Sequence, residues 1–187
     1  PITIRHLMHH TSGLRDQWAL LRLAGWRQED LITEDDVLWV VSRQKGVNFK
    51  PGDEYLYSNT GYTLLGTIVK RVTGQSLREF TDQEIFRPLG MTETHFHDDH
   101  AMVVPGRTSA YIQAGSGWRV SIPDFDTYGA TSLFTNVGDL LKWEHNFATG
   151  QVLGPALRLT QLLDRDGIRL RDRVATLVSN TWCHLEA

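Results

Sequence analysis

The sequence predicts a mainly α-helical domain with one small β-hairpin. Two capping boxes, Thr33 with Asp36 and Ser76 with Glu79, mark helix starts, and apolar residues recur at helical spacing from Thr60 to Val72. Only residues 109–122, "SAYIQAGSGWRVSI", read as paired strands.

Taken in chain order, Thr3 caps a short helix through His10, which the turn "TSG" stops. Thr33 opens a second helix whose apolar face is Val37, Leu38, Val40 and Val41, ending near Lys45 before "FKPG". The third runs from Thr60 to Val72, with Tyr62, Leu65, Ile68, Val69 and Val72 as its expected apolar face and Gly74 as its carboxy-terminal cap. Ser76 starts a fourth through Phe86, ended by Pro88 and Gly90. The hairpin turns around Gly115 to Gly117. Asn136 then caps a helix containing Leu140, Leu141, Trp143 and Phe147, and Gly154 or Pro155 starts one through Leu163.

A chain of 187 residues, 41% hydrophobic and with six Trp, is long enough to bury one core, and no repeat or linker divides it. Residues 1–165 form the helical region, and 166–187 an atypical tail of the same domain. The net charge of −3 leaves no basic surface for nucleic acid, so no nucleic-acid partner is expected. No apolar run reaches 18 residues and "PITIRHLMHH" lacks the zones of a signal peptide, so no membrane partner is expected and localisation stays open. Cys183, the single cysteine, has no internal disulfide partner.

Four ordered segments, "ITIRHLMHHTSGL", "FKPGDEYLYSNTGYTLLGTIV", "VTGQSL" and "IFRPLGMTETHF", carry a resemblance. The chain resembles the serine β-lactamase-like family of class C β-lactamases, D-alanyl-D-alanine carboxypeptidases and related esterases. The likeness runs from about residue 2 to "GATSLFTNVGDLLKW" and fades after about residue 165. It implies that Tyr57, in a Tyr-x-Asn motif, is the general base or its proton relay, and that Asn59 hydrogen-bonds substrate. The family's nucleophile, the Ser of a Ser-x-x-Lys helix, lies upstream of the segment with which these residues begin, and the later Lys/His-x-Gly motif does not occur. Ser42 to Lys45 match Ser-x-x-Lys literally, about a dozen residues before Tyr57, and are expected to be solvated surface. The resemblance thus implies the helical portion of the fold without its main antiparallel sheet. An apolar face left without that layer recruits another chain, so a homo-oligomer is expected.

The stretch "THFHDDH" raises a different chemistry. It looks like a metallo-hydrolase motif: His95 and His97 are two apart, so both imidazoles leave an extended segment on one side, with Asp99. His100 joins them if the chain turns. Such a set would hold a divalent metal that lowers the pKa of bound water; zinc is expected first, although His and Asp donors also suit manganese and iron. His6, His9 and His10, at spacings of three and four, form a second group on one helical face.

The resulting expectation is a hydrolase of activated esters (carboxylic esters, lactones, phosphoesters or phosphotriesters), with a divalent metal at His95, His97, Asp99 and His100 activating water and Tyr57, in a role the resemblance implies, as proton donor or oxyanion partner. Two alternatives stand beside it. One is a residual serine-type esterase using Ser58 or Ser42 with Tyr57; the other is an inactive helical fragment or interaction module.

Overall fold

The computed structural model describes residues 1–27, 29–121, 124–152 and 154. The tail and all but the first residue of the helix expected from Gly154 through Leu163 lie outside the described residues. The molecule is mostly helical, with small two-stranded sheets.

Helix α1, Ile4–Met8, is closed at its start by a reciprocal capping box between Thr3 and His6. It stops two residues earlier than its sequence suggests. A helix the spacing did not reveal follows: α2, Gln17–Leu23, capped by the Asp16 carboxylate on the amide of Trp18. Helix α3, Glu34–Ser42, starts from the Thr33–Asp36 capping box as expected. Leu21 of α2 and Val37 and Val40 of α3 form the apolar core with Ile32, and Trp18, Trp26 and Phe125 pack against it. Leu21 and Val37 are almost wholly enclosed, so each contributes about 1.5–3 kcal/mol of burial.

Helix α4, Asn59–Thr73, ends at Gly74, whose positive φ of 76° closes the last turn. Its buried face matches the expected apolar stripe only at Tyr62, which is buried. Gly61, Thr63, Gly66 and Thr67 are buried, while Leu65, Ile68 and Val69 are half-buried and Val72 is exposed. Small side chains win these positions because neighbours come too close for larger ones. A β-carbon on Gly61 would lie 2.8 Å from the carbonyl oxygen of Leu7, and one on Gly66 3.2 Å from the Tyr128 ring.

The Ser76–Glu79 box opens α5, Leu77–Thr81, which widens into a π turn over Asp82–Phe86, where Arg87 N–H reaches back five residues to the Asp82 carbonyl. Helix α6, Val137–Thr149, is capped by Asn136 and closed by Gly150.

Three short ribbons complete the described chain. Strand β1, Ile32–Thr33, pairs in parallel with β5, Phe125–Asp126, and β2, His95–Phe96, pairs antiparallel with β6, Leu133–Phe134. The expected hairpin forms from β3, Ala110–Ala114, and β4, Gly117–Ser121. Tyr111 faces Val120 and Gln113 faces Trp118 across it, and Trp118 is 72% exposed, so it projects from the ribbon rather than lining a pocket.

Candidate active site

Tyr57 and Asn59 stand where the loop after Pro51 enters α4. The amide of Gly52 donates to the Thr11 carbonyl (2.8 Å) and that of Leu56 to the His10 carbonyl (3.0 Å), pinning this loop to the chain that leaves α1. His10 adopts a left-handed backbone, φ 54°, unusual for a residue with a β-carbon. That twist carries its ring away from the α1 surface and buries it. There it lies 4.5 Å from the Tyr57 ring and 5.4 Å from the Tyr62 ring, with Tyr55 edge-on at 6.0 Å. Its Nδ1 accepts from the Ser58 amide at 3.2 Å, which puts the proton of the neutral imidazole on Nε2.

His6, His9 and His10 therefore do not share a helical face. The helix ends before His9, His6 Nδ1 accepts the Thr3 amide in the cap, and His10 turns inward.

The hydroxyl of Tyr57 donates to Asn59 Oδ1 at 3.2 Å. Asn59 in turn donates from both its backbone nitrogen (2.8 Å) and Nδ2 (2.7 Å) to Asp16 Oδ2. A carboxylate accepts only, so it dictates which side of the amide carries nitrogen and leaves the oxygen for Tyr57. Ser58 occupies the N-cap of α4 without capping it, and its hydroxyl is buried with no hydrogen-bond partner among the described residues. Asp16 supplies that cap from another helix.

Tyr57 is 37% exposed and Asn59 is buried beneath it, so the phenol forms the accessible edge of the pair. Tyr62, deeper in, donates to the Met8 carbonyl at 3.1 Å, and burial, helped by Tyr57 and Tyr55, pushes its hydroxyl up to about 12. It stays neutral. Ser58 is too enclosed to meet a substrate, and Ser42 is exposed at the end of α3, donating to the Trp39 carbonyl, with Lys45 also exposed.

The histidine motif is drawn together only in part. His95 Nε2 and His97 Nδ1 face each other at 3.3 Å in a hydrogen bond. His97 stacks flat on Phe134, centroids 4.3 Å apart, with Arg107 over the same aromatic ring, and its Nε2 is buried without a partner among the described residues. Burial, with Arg78 nearby, lowers the pKa of both imidazoles, and Arg107 lowers that of His97 further. Asp99 instead accepts the Ala101 amide, and His100 pairs with Asp126 at 3.0 Å, a contact that raises its pKa. Among the described residues no three His, Cys, Asp or Glu side chains converge to hold a metal ion. Strand β2 ends at Phe96 and the pairing reaches only one residue further, where the His97 amide donates to the Ser132 carbonyl (2.7 Å), so the chain has left the ribbon before Asp99 and His100.

The sequence profile of the beta-lactamase family matches residues 1–181. The chain belongs to the beta-lactamase family. A D-aminopeptidase of Gluconobacter oxydans (strain 621H) is 30% identical over 139 residues, 74% of this chain and 26% of that protein. The crystal structure of a penicillin-binding protein from Bacillus halodurans superposes with a TM-score of 0.72 at 22% identity, over 86% of this chain and 50% of that one. An octameric penicillin-binding protein homologue from Pyrococcus abyssi gives a TM-score of 0.62 at 28% identity, over 79% of this chain and 34% of that one. This family member thus spans about a quarter of the D-aminopeptidase and half of the Bacillus halodurans protein, and its relatives are hydrolases.

Asp16 is the site residue that sequence reasoning missed. Its signal was a possible N-cap immediately before Gln17, hidden because α2 is short and its apolar pattern weak.

Proposed function

We propose that this chain forms the proton-transfer wall of a serine-type acyl-transfer site, in a hydrolase acting on amides or esters of D-amino acids. The observation that carries the reading is the Tyr57 hydroxyl held on Asn59 Oδ1 at an accessible edge, at the family's Tyr-x-Asn position. A phenol so held is placed to pass a proton between a nucleophilic hydroxyl and the leaving amine. The likeness to a D-aminopeptidase supports the substrate class.

This reading replaces metal-activated ester hydrolysis as the leading one, because the donors that reading needs do not converge among the described residues and Tyr57 and Asn59 do. Neither Ser58 nor Ser42 is placed as the nucleophile, the first by burial and the second by its position at the end of α3. The nucleophile expected is the Ser of a Ser-x-x-Lys helix, as the family resemblance implies.

The test uses the whole protein with the p-nitroanilides of D- and L-alanine and a fluorophosphonate label. The expected result is turnover of the D-amide over the L-amide, with the label on the serine that begins a Ser-x-x-Lys segment, three residues before its Lys. Turnover without a labelled serine, or equal rates on both enantiomers, would refute the proposal.

A further inference from the structure

We infer that Asp16 is a positioning residue, whose carboxylate sets the Asn59 side chain so that its carbonyl oxygen, and not its amide nitrogen, meets the Tyr57 hydroxyl. The inference rests on the reading of Tyr57 given above, but its geometry stands apart from it.

Asp16 does two things at once. Oδ1 accepts the Trp18 amide at 3.0 Å and so caps α2, while Oδ2 accepts the backbone amide and Nδ2 of Asn59 and so caps α4. One carboxylate, with negative charge suited to both helix starts, ties together elements 43 residues apart in sequence. The residue that should cap α4 by position, Ser58, does not. Among the described residues, no partner other than Asp16 distinguishes the two ends of the Asn59 amide. Turned over, it would present Nδ2 to the Tyr57 oxygen, a donor where an acceptor now sits.

The rest of the surroundings do not replace this function. Thr60 Oγ1 donates to the Arg15 carbonyl (2.7 Å), which holds the segment before α2 close to α4 but touches neither end of the Asn59 amide. His10 accepts the backbone amide of Ser58.

The decisive variant is Asp16→Asn. It keeps an oxygen for the Trp18 amide, and thus the α2 cap, but sets an NH2 against the two Asn59 donors. Asp16→Ser is the second variant: it also caps a helix, and it leaves space for water should the asparagine prevent folding.

Two readouts are taken on wild type, both Asp16 variants and Tyr57→Phe. The first is side-chain amide NMR of Asn59, assigned with Asn59→Ala. In the wild type its amide protons are expected to exchange slowly and to be shifted by the carboxylate; both Asp16 variants are expected to lose that protection, and Tyr57→Phe to keep it. The second is steady-state kinetics on D-alanine p-nitroanilide, where both Asp16 variants are expected to lower kcat by about 100-fold with KM changed less than about threefold, the pattern of a displaced group rather than a lost binding contact.

Protection that survives in both Asp16 variants, or a kcat within about twofold of wild type in them while Tyr57→Phe is inactive, overturns the inference. If Tyr57→Phe itself retains full activity, the functional reading fails, and loss of Asn59 protection in the Asp16 variants still supports the positioning.

Discussion

Asn59 Nδ2 lies 2.7 Å from Asp16 Oδ2, a contact between a neutral donor and a charged acceptor that a single substitution turns into repulsion. Asn59→Asp would set two carboxylates in hydrogen-bond contact. The variant is expected to lose about 3 kcal/mol of stability at pH 7. The shared site raises a carboxyl pKa in the folded state, so the folded state binds the extra proton and stability recovers as pH falls into the carboxylate range. Urea midpoints at pH 7 and pH 4.5 check this: the gap to wild type narrows at the lower pH.

The His95–His97 hydrogen bond turns the two nearest imidazole nitrogens toward each other, with Asp99 and His100 held elsewhere. Dialysis against a chelator is therefore expected to leave both hydrolysis and melting temperature unchanged. A rate that falls on chelation and returns with zinc or manganese would restore the metal reading.

Glu34 joins three elements. Its carboxylate accepts from Thr67 Oγ1 (2.8 Å) and Lys70 Nζ (2.8 Å) on α4 and from the Tyr128 hydroxyl (3.0 Å). Burial works to raise its pKa, but the bonds from Lys70, Thr67 and Tyr128 outweigh it and hold the carboxyl below its ordinary value. The unfolded chain thus binds the proton first. The contribution is fully present above about pH 4.3 and is lost as pH falls through the folded-state value. Glu34→Gln is expected to cost about 2 kcal/mol at pH 7 and progressively less as pH falls below 4, read from chemical denaturation.

Gly61→Ala sets two effects against each other. Alanine is favoured over glycine inside a helix by about 1 kcal/mol. Here its β-carbon would meet the Leu7 carbonyl oxygen at 2.8 Å, a backbone atom of the packed α1 that has little freedom to move. The steric term prevails, and the variant is expected to be less stable by about 1–3 kcal/mol in a urea titration.

Helix starts were the most legible feature of the sequence, because a capping box is a local interaction that four residues fully specify. Thr33 and Ser76 each begin a helix as read, and the hairpin forms where alternation and glycines place it. The buried face of α4 was not legible, since small residues there answer to Leu7 and Tyr128, which are distant in sequence. At the site, Tyr57 and Asn59 came through the motif they share with a family. Asp16, 43 residues from Asn59, has no local pattern that announces the contact. The arrangement of the histidine motif was only partly legible, for a related reason. Strand spacing aligns side chains only while the strand continues, and β2 is two residues long.

The most direct test sets Tyr57→Phe beside His97→Leu, measuring kcat/KM on D-alanine p-nitroanilide with the fold of each variant checked by circular dichroism. If proton transfer runs through Tyr57, its variant loses about 100-fold or more in kcat/KM and the His97 variant stays within about twofold of wild type. A fully active Tyr57→Phe together with an inactive, folded His97→Leu would contradict the account and return the chemistry to the histidines.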